Sequence, residues 1–278
     1  MLRKTDDGAQ VDILANGKTL LGTFGLKEWE SRFIGKRFGL LKFDHQKLLS
    51  TDKEMLREVL EKITSHADHE EFELVEFTTD VRAIGSIPHF VDFGFRLVDT
   101  RITFVTLVDR RTIEPVRSSR WQLRLATIAD LPSILEITKG SFVDNPEFCS
   151  RFKNRLYFSS AQSDKYFSAW IENHLEADST LFAVVQEQGR VVGYFFYIDA
   201  GEFQGKKLYK GGLTAVLPEF RGNRLHLVMQ AFLYEQFPED VFYLDNTTQL
   251  TNYAAVKNHI SSNKKLDRIE LTYFRAGK

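Results

Sequence analysis

Apolar residues recur along this chain with two different periods, separated by short polar breaks. Positions 55, 56, 59, 60 and 63 within Thr51–His66 (TDKEMLREVLEKITSH) mark one helical face, with Thr51 and Asp52 placed to cap it. Lys27–Phe43 mixes aromatics with glycines and reads as turns around short strands. Phe72–Phe77 (FELVEF) predicts a strand, Ser86–Asp92 a short helix ended at Gly94, and Phe95–Thr106 a long strand in near alternation. A strand over Trp121–Ala126 follows, then a helix capped by Thr127 or Asp130 and running through Lys139. Residues 141–160 are irregular and rich in Phe and Arg. Asp164–Ala177 is an amphipathic helix, with Phe167, Trp170, Ile171 and Leu175 on one side. Leu181–Gln186 and Val191–Asp199 form a hairpin turning at Glu187–Arg190 around Gly189. The remainder reads as a strand over Lys207–Val216, a turn over Pro218–Asn223 and a helix over Leu225–Gln236. A strand over Val241–Asn246, a helix over Thr251–Ser262 and a strand over Leu266–Arg275 complete it.

This order is α+β: a mixed sheet flanked by helices, preceded by a smaller α+β domain. The crossovers do not alternate from the beginning, which excludes a doubly wound nucleotide fold. No internal repeat is visible. The best break is Val108–Ser119 (VDRRTIEPVRSS), charged, aperiodic and containing Pro115. The expected division is a tail over 1–19, a small α+β domain over 20–107, a linker over 108–120 and a larger domain over 121–278.

Composition narrows the function classes. The 278 residues are 43% hydrophobic and 27% charged, ordinary for a globular chain. Lys and Arg number 37 against 38 Asp and Glu, so no basic excess favours nucleic acid. No apolar run approaches the roughly 20 residues that cross a bilayer. The first residues lack the apolar core of a secretory signal. The single cysteine, Cys149, excludes a disulfide framework and points to a reducing compartment, the cytoplasm. The 24 phenylalanines fill a core or line a pocket for a sugar or a planar base.

Candidate chemistry sits late in the chain. Thr214–Gln230 (TAVLPEFRGNRLHLVMQ) reads as a strand end, a tight turn with Pro218, Arg221 and Gly222, and a helix start. Free N–H groups and the positive dipole end suit a phosphate there, and Arg221 and Arg224 add charge-assisted hydrogen bonds. The same segment also reads as a plain strand–helix connection with solvated arginines. Asn252, Val256 and His259 share a helical face. Asn252 can bond an amide, and His259 can exchange a proton near neutral pH. Alternatively, Asn252 belongs to the helix cap and His259 to the surface. His66 and His69 lie among Asp68, Glu70 and Glu71 in a polar run, and no metal site is expected.

These two segments resemble the GNAT acyltransferase superfamily. AVLPEFRGNRLHLVMQAFL is similar to its acyl-CoA loop, usually Arg/Gln-x-x-Gly-x-Gly/Ala after a bulged strand, and TQLTNYAAVKNHI to its following helix. KEWESRFIGKRFG, FELVEF, GFRLVDTRITF and KYFSAWIENHL further resemble the group typified by TDP-fucosamine acetyltransferase, so that the likeness spans about residues 24–275. It implies transfer of an acetyl group from acetyl-CoA, as co-substrate, to the amine of a nucleotide-linked amino sugar. It implies a donor site at Val216, Arg221, Gly222, Asn223, Arg224, Leu225, His226 and Asn252. The pyrophosphate would sit on the N–H groups of 221–226 and the oxyanion on the N–H of Val216 or Leu217. The sequence departs from the pattern at Arg224 and His226, where small residues are usual. It departs again at His259, where relatives carry a Tyr that protonates the leaving thiolate; Tyr253 and Tyr273 are substitutes for that role. Phe142, Phe148, Arg151 and Arg155, in the irregular 141–160 segment, are the expected acceptor-binding residues: Arg for a phosphate, Phe for a base or sugar face. A homodimer is an open expectation, as are another amine as acceptor and a non-catalytic ligand-binding role.

Overall fold

Asp52 caps the helix that the 55–63 period predicts. Its carboxylate accepts from the N–H groups of Glu54 and Met55, and Leu56, Val59, Leu60 and Ile63 are buried. A computed structural model describes residues 2–4, 10–15, 19–113 and 120–277. The first elements are β1 (Leu2–Lys4), β2 (Gln10–Ala15), β3 (Thr19–Leu26), α1 (Glu28–Ile34), β4 (Phe38–Phe43), α2 (His45–Ser50) and α3 (Lys53–His69). They continue with β5 (Leu74–Asp80), α4 (Ile87–Asp92), β6 (Arg96–Asp109), β7 (Gln122–Leu125), α5 (Leu131–Thr138) and α6 (Ser160–Leu175). The last are β8 (Thr180–Glu187), β9 (Arg190–Phe203), β10 (Lys206–Val216), α7 (Leu225–Gln236), β11 (Val241–Gln249), α8 (Tyr253–Ser261) and β12 (Lys265–Ala276).

The chain forms two compact units, and they are not the two expected from the sequence. The first comprises Met1–Ile102, Cys149–Gln162 and Arg268–Lys278; the second comprises Thr103–Phe148 and Ser163–Asp267. The expected tail over 1–19 contains β1 and β2 instead, because Val11, Ile13 and Ala15 alternate into the core. Of the expected linker, Val108 and Asp109 end β6 and Arg110–Thr112 make a single turn, while 114–119 lie outside the described residues.

In the first unit the strands run in the order β1-β2-β3-β4-β5-β12, with the start of β6 next to β12. β4 and β5 pair in parallel, from Phe38 with Leu74 to Leu41 with Phe77, because α3 crosses between them. Leu56, Val59, Leu60 and Ile63 of α3 close one face over Phe24, Phe77, Phe90 and Phe95.

In the second unit the order is β7-β8-β9-β10-β11, with the end of β6 beyond β11. Here β10 and β11 pair in parallel, and α7 is the crossover. β9 alternates between two cores. Phe195 and Tyr197 join Met229, Leu233 and Phe237 in the cluster around α7. Tyr194 and Phe196 point the other way, where the Tyr194 hydroxyl is 2.8 Å from Thr138 Oγ1 of α5. Among the described residues no helix is long and apolar enough to cross a membrane.

Candidate functional site

The second unit's parallel pair comes apart. β10 and β11 are in register only from Leu208 with Tyr243 to Lys210 with Asp245, although β10 continues to Val216 and β11 to Gln249. On its other edge β10 stays beside β9 but slips register between Gly211 and Thr214. Two consecutive glycines permit this. A Cβ on Gly212 would fall 1.9 Å from the Phe196 ring, and one on Gly211 would fall 2.8 Å from Asn246 Oδ1. A slip of this kind bends a strand and frees backbone groups along the side that loses its neighbour. A slot therefore opens between Gly211–Val216 and Asn246–Gln249.

The slot leads toward the N-terminus of α7. Pro218–Phe220 make one turn, after which Arg221 Nε donates to the Val216 carbonyl at 3.2 Å and Asn223 Nδ2 donates to the Phe220 carbonyl at 3.0 Å. Gly222 takes φ +84°. Arg224, the N-cap residue, is left-handed at φ +56° and offers no side-chain cap. A non-glycine residue there costs about 1 kcal/mol or more. Among the described residues the N–H groups of Gly222–His226 have no acceptor within the chain. Bare N–H groups and the helix dipole make this an anion-attracting end. Arg221 and Arg224 are exposed beside it, whereas the Leu225 side chain is buried in the core and offers a ligand only its backbone. Of the two N–H groups expected to face an oxyanion, that of Leu217 donates to the Val192 carbonyl at 2.9 Å and is taken.

Three basic side chains gather near this end. Burial, the Lys264 charge and His226 together hold His259 down to about 3. Burial lowers Lys264 to about 8. Burial and Lys264 also lower His226, whose Nε2 is enclosed and has no partner. His259 is thus a neutral imidazole at pH 7, set against the Phe104 ring at 5.0 Å between centroids. This corrects the expectation of an imidazolium ready to protonate a thiolate in the free protein. Asn252 Oδ1 accepts from the Ala255 N–H at 3.2 Å and caps α8, so only its NH2 group remains for a ligand. Of the substitute acids, Tyr253 is exposed at the start of α8, while Tyr273 is buried in the first unit's core, where burial raises its pKa.

The expected acceptor residues are divided between the two units. Phe142 and Phe148 belong to the second unit, where their rings meet edge-on at 4.9 Å and Phe142 stacks on Phe167 at 5.6 Å. Arg151 and Arg155 belong to the first unit. Arg151 is nearly buried and committed to carboxylates, Nε lying 3.4 Å from Glu76 and Nη1 3.8 Å from Asp99. Burial alone would raise the pKa of Glu76, but Arg151 and Lys27 hold it below the ordinary value. Arg151 therefore has no charge to spare for a substrate phosphate, because two buried carboxylates claim it. Arg155 is exposed and donates to Ser160 Oγ at 3.2 Å. Among the described residues no group of three His, Cys, Asp or Glu side chains is placed to hold a metal ion.

The sequence reading overlooked Gly211–Gly212, Asn246 and Lys264. The glycine pair in an otherwise apolar strand was the available signal for the first.

No protein-family model matches the chain, and no curated protein matches its sequence. Solved structures do match its fold. A GCN5-related N-acetyltransferase from Sphaerobacter thermophilus superposes with a TM-score of 0.62 at 12% identity, over 97% of this chain and 82% of that one. A functionally unknown conserved protein from Staphylococcus epidermidis gives 0.62 at 12% identity, over 96% and 94%. A tandem GNAT protein from the clavulanic acid biosynthesis pathway gives 0.56 at 10% identity, over 96% and 83%. At such identities the likeness is one of fold. The chain has the fold of the GCN5-related N-acetyltransferases, the mixed sheet flanked by helices that its sequence implies.

Proposed function

We propose that the chain is an N-acyltransferase that moves an acyl group from an acyl-CoA thioester to a primary amine. The observation that carries this reading is the parting of β10 from β11 beside the uncapped N-terminus of α7. The slot suits an extended thioester arm, which can pair with the exposed strand edges. The bare N–H groups of Gly222–His226, with Arg221 and Arg224, suit the phosphates at its far end. Acetyl-CoA is the proposed donor, and the amine of a nucleotide-linked amino sugar is the proposed acceptor. Both follow from the sequence resemblance.

In this reading the backbone N–H of Val216, next to the phosphate end of the slot, and the NH2 group of Asn252 hold the arm. His259 protonates the departing thiolate only after donor phosphates beside His226 and Lys264 raise its pKa. A second reading has a specific basis: Arg224 and His226 occupy the positions where small residues are implied, and His259 is neutral. That combination suits a chain that binds acyl-CoA without turning it over.

Calorimetry with CoA and acetyl-CoA, followed by a thiol-release assay against a panel of amines that includes amino sugar nucleotides, separates the readings. Binding with thiol release supports the transferase. Binding without release from any amine supports the second reading. Absence of CoA binding removes both.

A further inference from the structure

β11 directs Phe242 and Leu244 into the apolar cluster around α7. Two residues further along the same face stands Asn246, 4% exposed. A buried polar side chain in that position needs a partner for each of its polar atoms. Asn246 Oδ1 has one, accepting from the Tyr197 hydroxyl at 3.2 Å. The Tyr197 oxygen in turn accepts from Gln230 Nε2, on α7. Tyr197 and Gln230 are both buried. Gln230 Nε2 donates to the Tyr197 oxygen, Tyr234 is a further hydrogen-bond partner of that oxygen, and the Tyr197 hydroxyl proton goes to Asn246 Oδ1. The oxygen of Asn246 is thereby held toward Tyr197 and its NH2 group faces the other way. That Nδ2 is shut off from solvent and has no acceptor. A buried donor left unmet costs free energy.

Its place in the fold gives the unmet donor a purpose. Asp245 is the last residue of β11 in register with β10, and Asn246 is the first beyond it. Across the fork stands Gly211, where any side chain would press on Asn246 Oδ1. Asn246 thus sits at the inner end of the slot. Five strand residues, about 16 Å, separate Gly211 from Val216 and the phosphate-attracting turn beyond it. A donor held by its phosphates at α7 would bring its opposite, thioester end to Asn246.

We propose that Asn246 Nδ2 donates a hydrogen bond to the thioester carbonyl oxygen of the acyl donor, which makes Asn246 a catalytic residue. The inference rests on the acyl-transfer reading above. As the amine nitrogen bonds to the carbonyl carbon, the carbonyl π electrons move to oxygen, where Asn246 stabilises the charge. The C–N bond is retained and the C–S bond breaks. The departing thiolate takes up the equivalent of the proton lost by nitrogen. Tyr197 and Gln230 are positioning residues that keep the NH2 group aimed.

Asn246→Asp keeps the side-chain shape and the acceptor for Tyr197 but removes the donor. It should lower kcat roughly 10²–10³-fold, the size of one lost oxyanion donor. Its Kd for CoA, which carries no acyl group, should stay within twofold. Asn246→Ala, checked for an unchanged circular dichroism spectrum, should behave likewise. Tyr197→Phe should lower kcat less and spare CoA affinity. In the wild-type protein the Asn246 side-chain amide protons should shift on addition of acetyl-CoA and not of CoA. Full kcat in folded Asn246→Asp and Asn246→Ala overturns the proposal while leaving the transferase reading intact. A tenfold loss of CoA affinity in both also overturns it, since the bonded carbonyl would then lie in the arm. A wild-type protein that neither binds CoA nor releases thiol removes the transferase reading and this inference with it.

Discussion

The two units use one connectivity to opposite ends. In each, a strand, a crossover helix and a parallel strand are followed by a short helix: β4, α3, β5 and α4 in the first, where the short α2 precedes α3, and β10, α7, β11 and α8 in the second. In the first the helix start is closed. Asp52 satisfies the N–H groups of Glu54 and Met55, and Glu54 adds negative charge to the first turn. In the second the helix start is open, with Arg224 as an N-cap residue that caps nothing. At the end of its parallel pair the first unit packs rings, Phe77 stacked on Phe90 at 3.9 Å and 6°. The second leaves there a slip, two glycines and an amide with an unmet donor. A sealed copy and an open copy of one design show which departures from good packing the open one tolerates, and departures of that kind gather at functional sites.

The largest effect expected belongs to the sealed unit. Arg151→Ala leaves Asp99 without its Arg151 partner and Glu76 with Lys27 alone, and breaking such a buried pair costs about 3–5 kcal/mol. Denaturant unfolding should show that loss, while CoA affinity at temperatures where the variant is folded stays as in the wild type. A drop in CoA or acceptor affinity with unchanged stability would return Arg151 to the substrate and undo the contrast.

Next comes a transfer of chemistry from one helix to the other. His226→Glu gives the first turn of α7 the acid that α3 already has in Glu54. A carboxylate among the bare N–H groups should weaken CoA binding by roughly 2–3 kcal/mol, about 100-fold, the scale of a desolvated like-charge encounter. Calorimetry reads it. Unchanged affinity would mean that the open helix start is not where the phosphates bind.

The reciprocal change is smaller. Asp52→Ala should cost about 1 kcal/mol of stability, the usual value of an N-cap, and leave CoA affinity alone. If it creates a CoA site or alters affinity, the two helix ends are not functionally distinct.

The contrast also explains what could be read from the sequence. Where local chemistry decides, the reading held. α7 spans Leu225–Gln236 as expected, α3 starts at Asp52, and the β8–β9 turn places Gln188 and Gly189 at positive φ. α1 was hidden, because Gly35 and Gly39 made its surroundings look like turns while Trp29 and Phe33 blurred its period. The unit boundaries were hidden for a different reason. β6 carries residues of both units, Arg268–Ala276 of β12 belong to the first, and so does the 149–162 segment. No residue type marks a strand that leaves its own unit, so a linear reading stops each domain at the nearest polar break. The site was legible at its charged end, where Arg221 and Gly222 stand in a turn. It was not legible at Asn246, because a polar residue near the end of a strand looks like the end itself.

At pH 7 the smallest effect is that of His259, and it grows on acidification. An ordinary histidine, and His259 in the unfolded chain, titrates near 6.5, whereas burial, Lys264 and His226 hold the folded group at about 3. Between those values the unfolded chain binds a proton that the folded chain refuses, so stability rises with pH across the window and is lost as pH falls from 6.5 toward 3. Burial places Lys264 in a similar relation at higher pH, between its folded value of about 8 and its unfolded value of 10.5. His259→Gln should therefore lose less stability than the wild type between pH 6.5 and 4, measured as the midpoint of denaturant unfolding. Donor phosphates at the start of α7 would offset the charge of Lys264 and raise both His226 and His259. CoA binding at pH 6 should then take up protons, read by calorimetry in two buffers of different ionisation enthalpy, and the uptake should shrink in His259→Gln. Proton uptake equal in the two proteins would show that the phosphates leave His259 neutral, ending its role as the acid that protonates the thiolate.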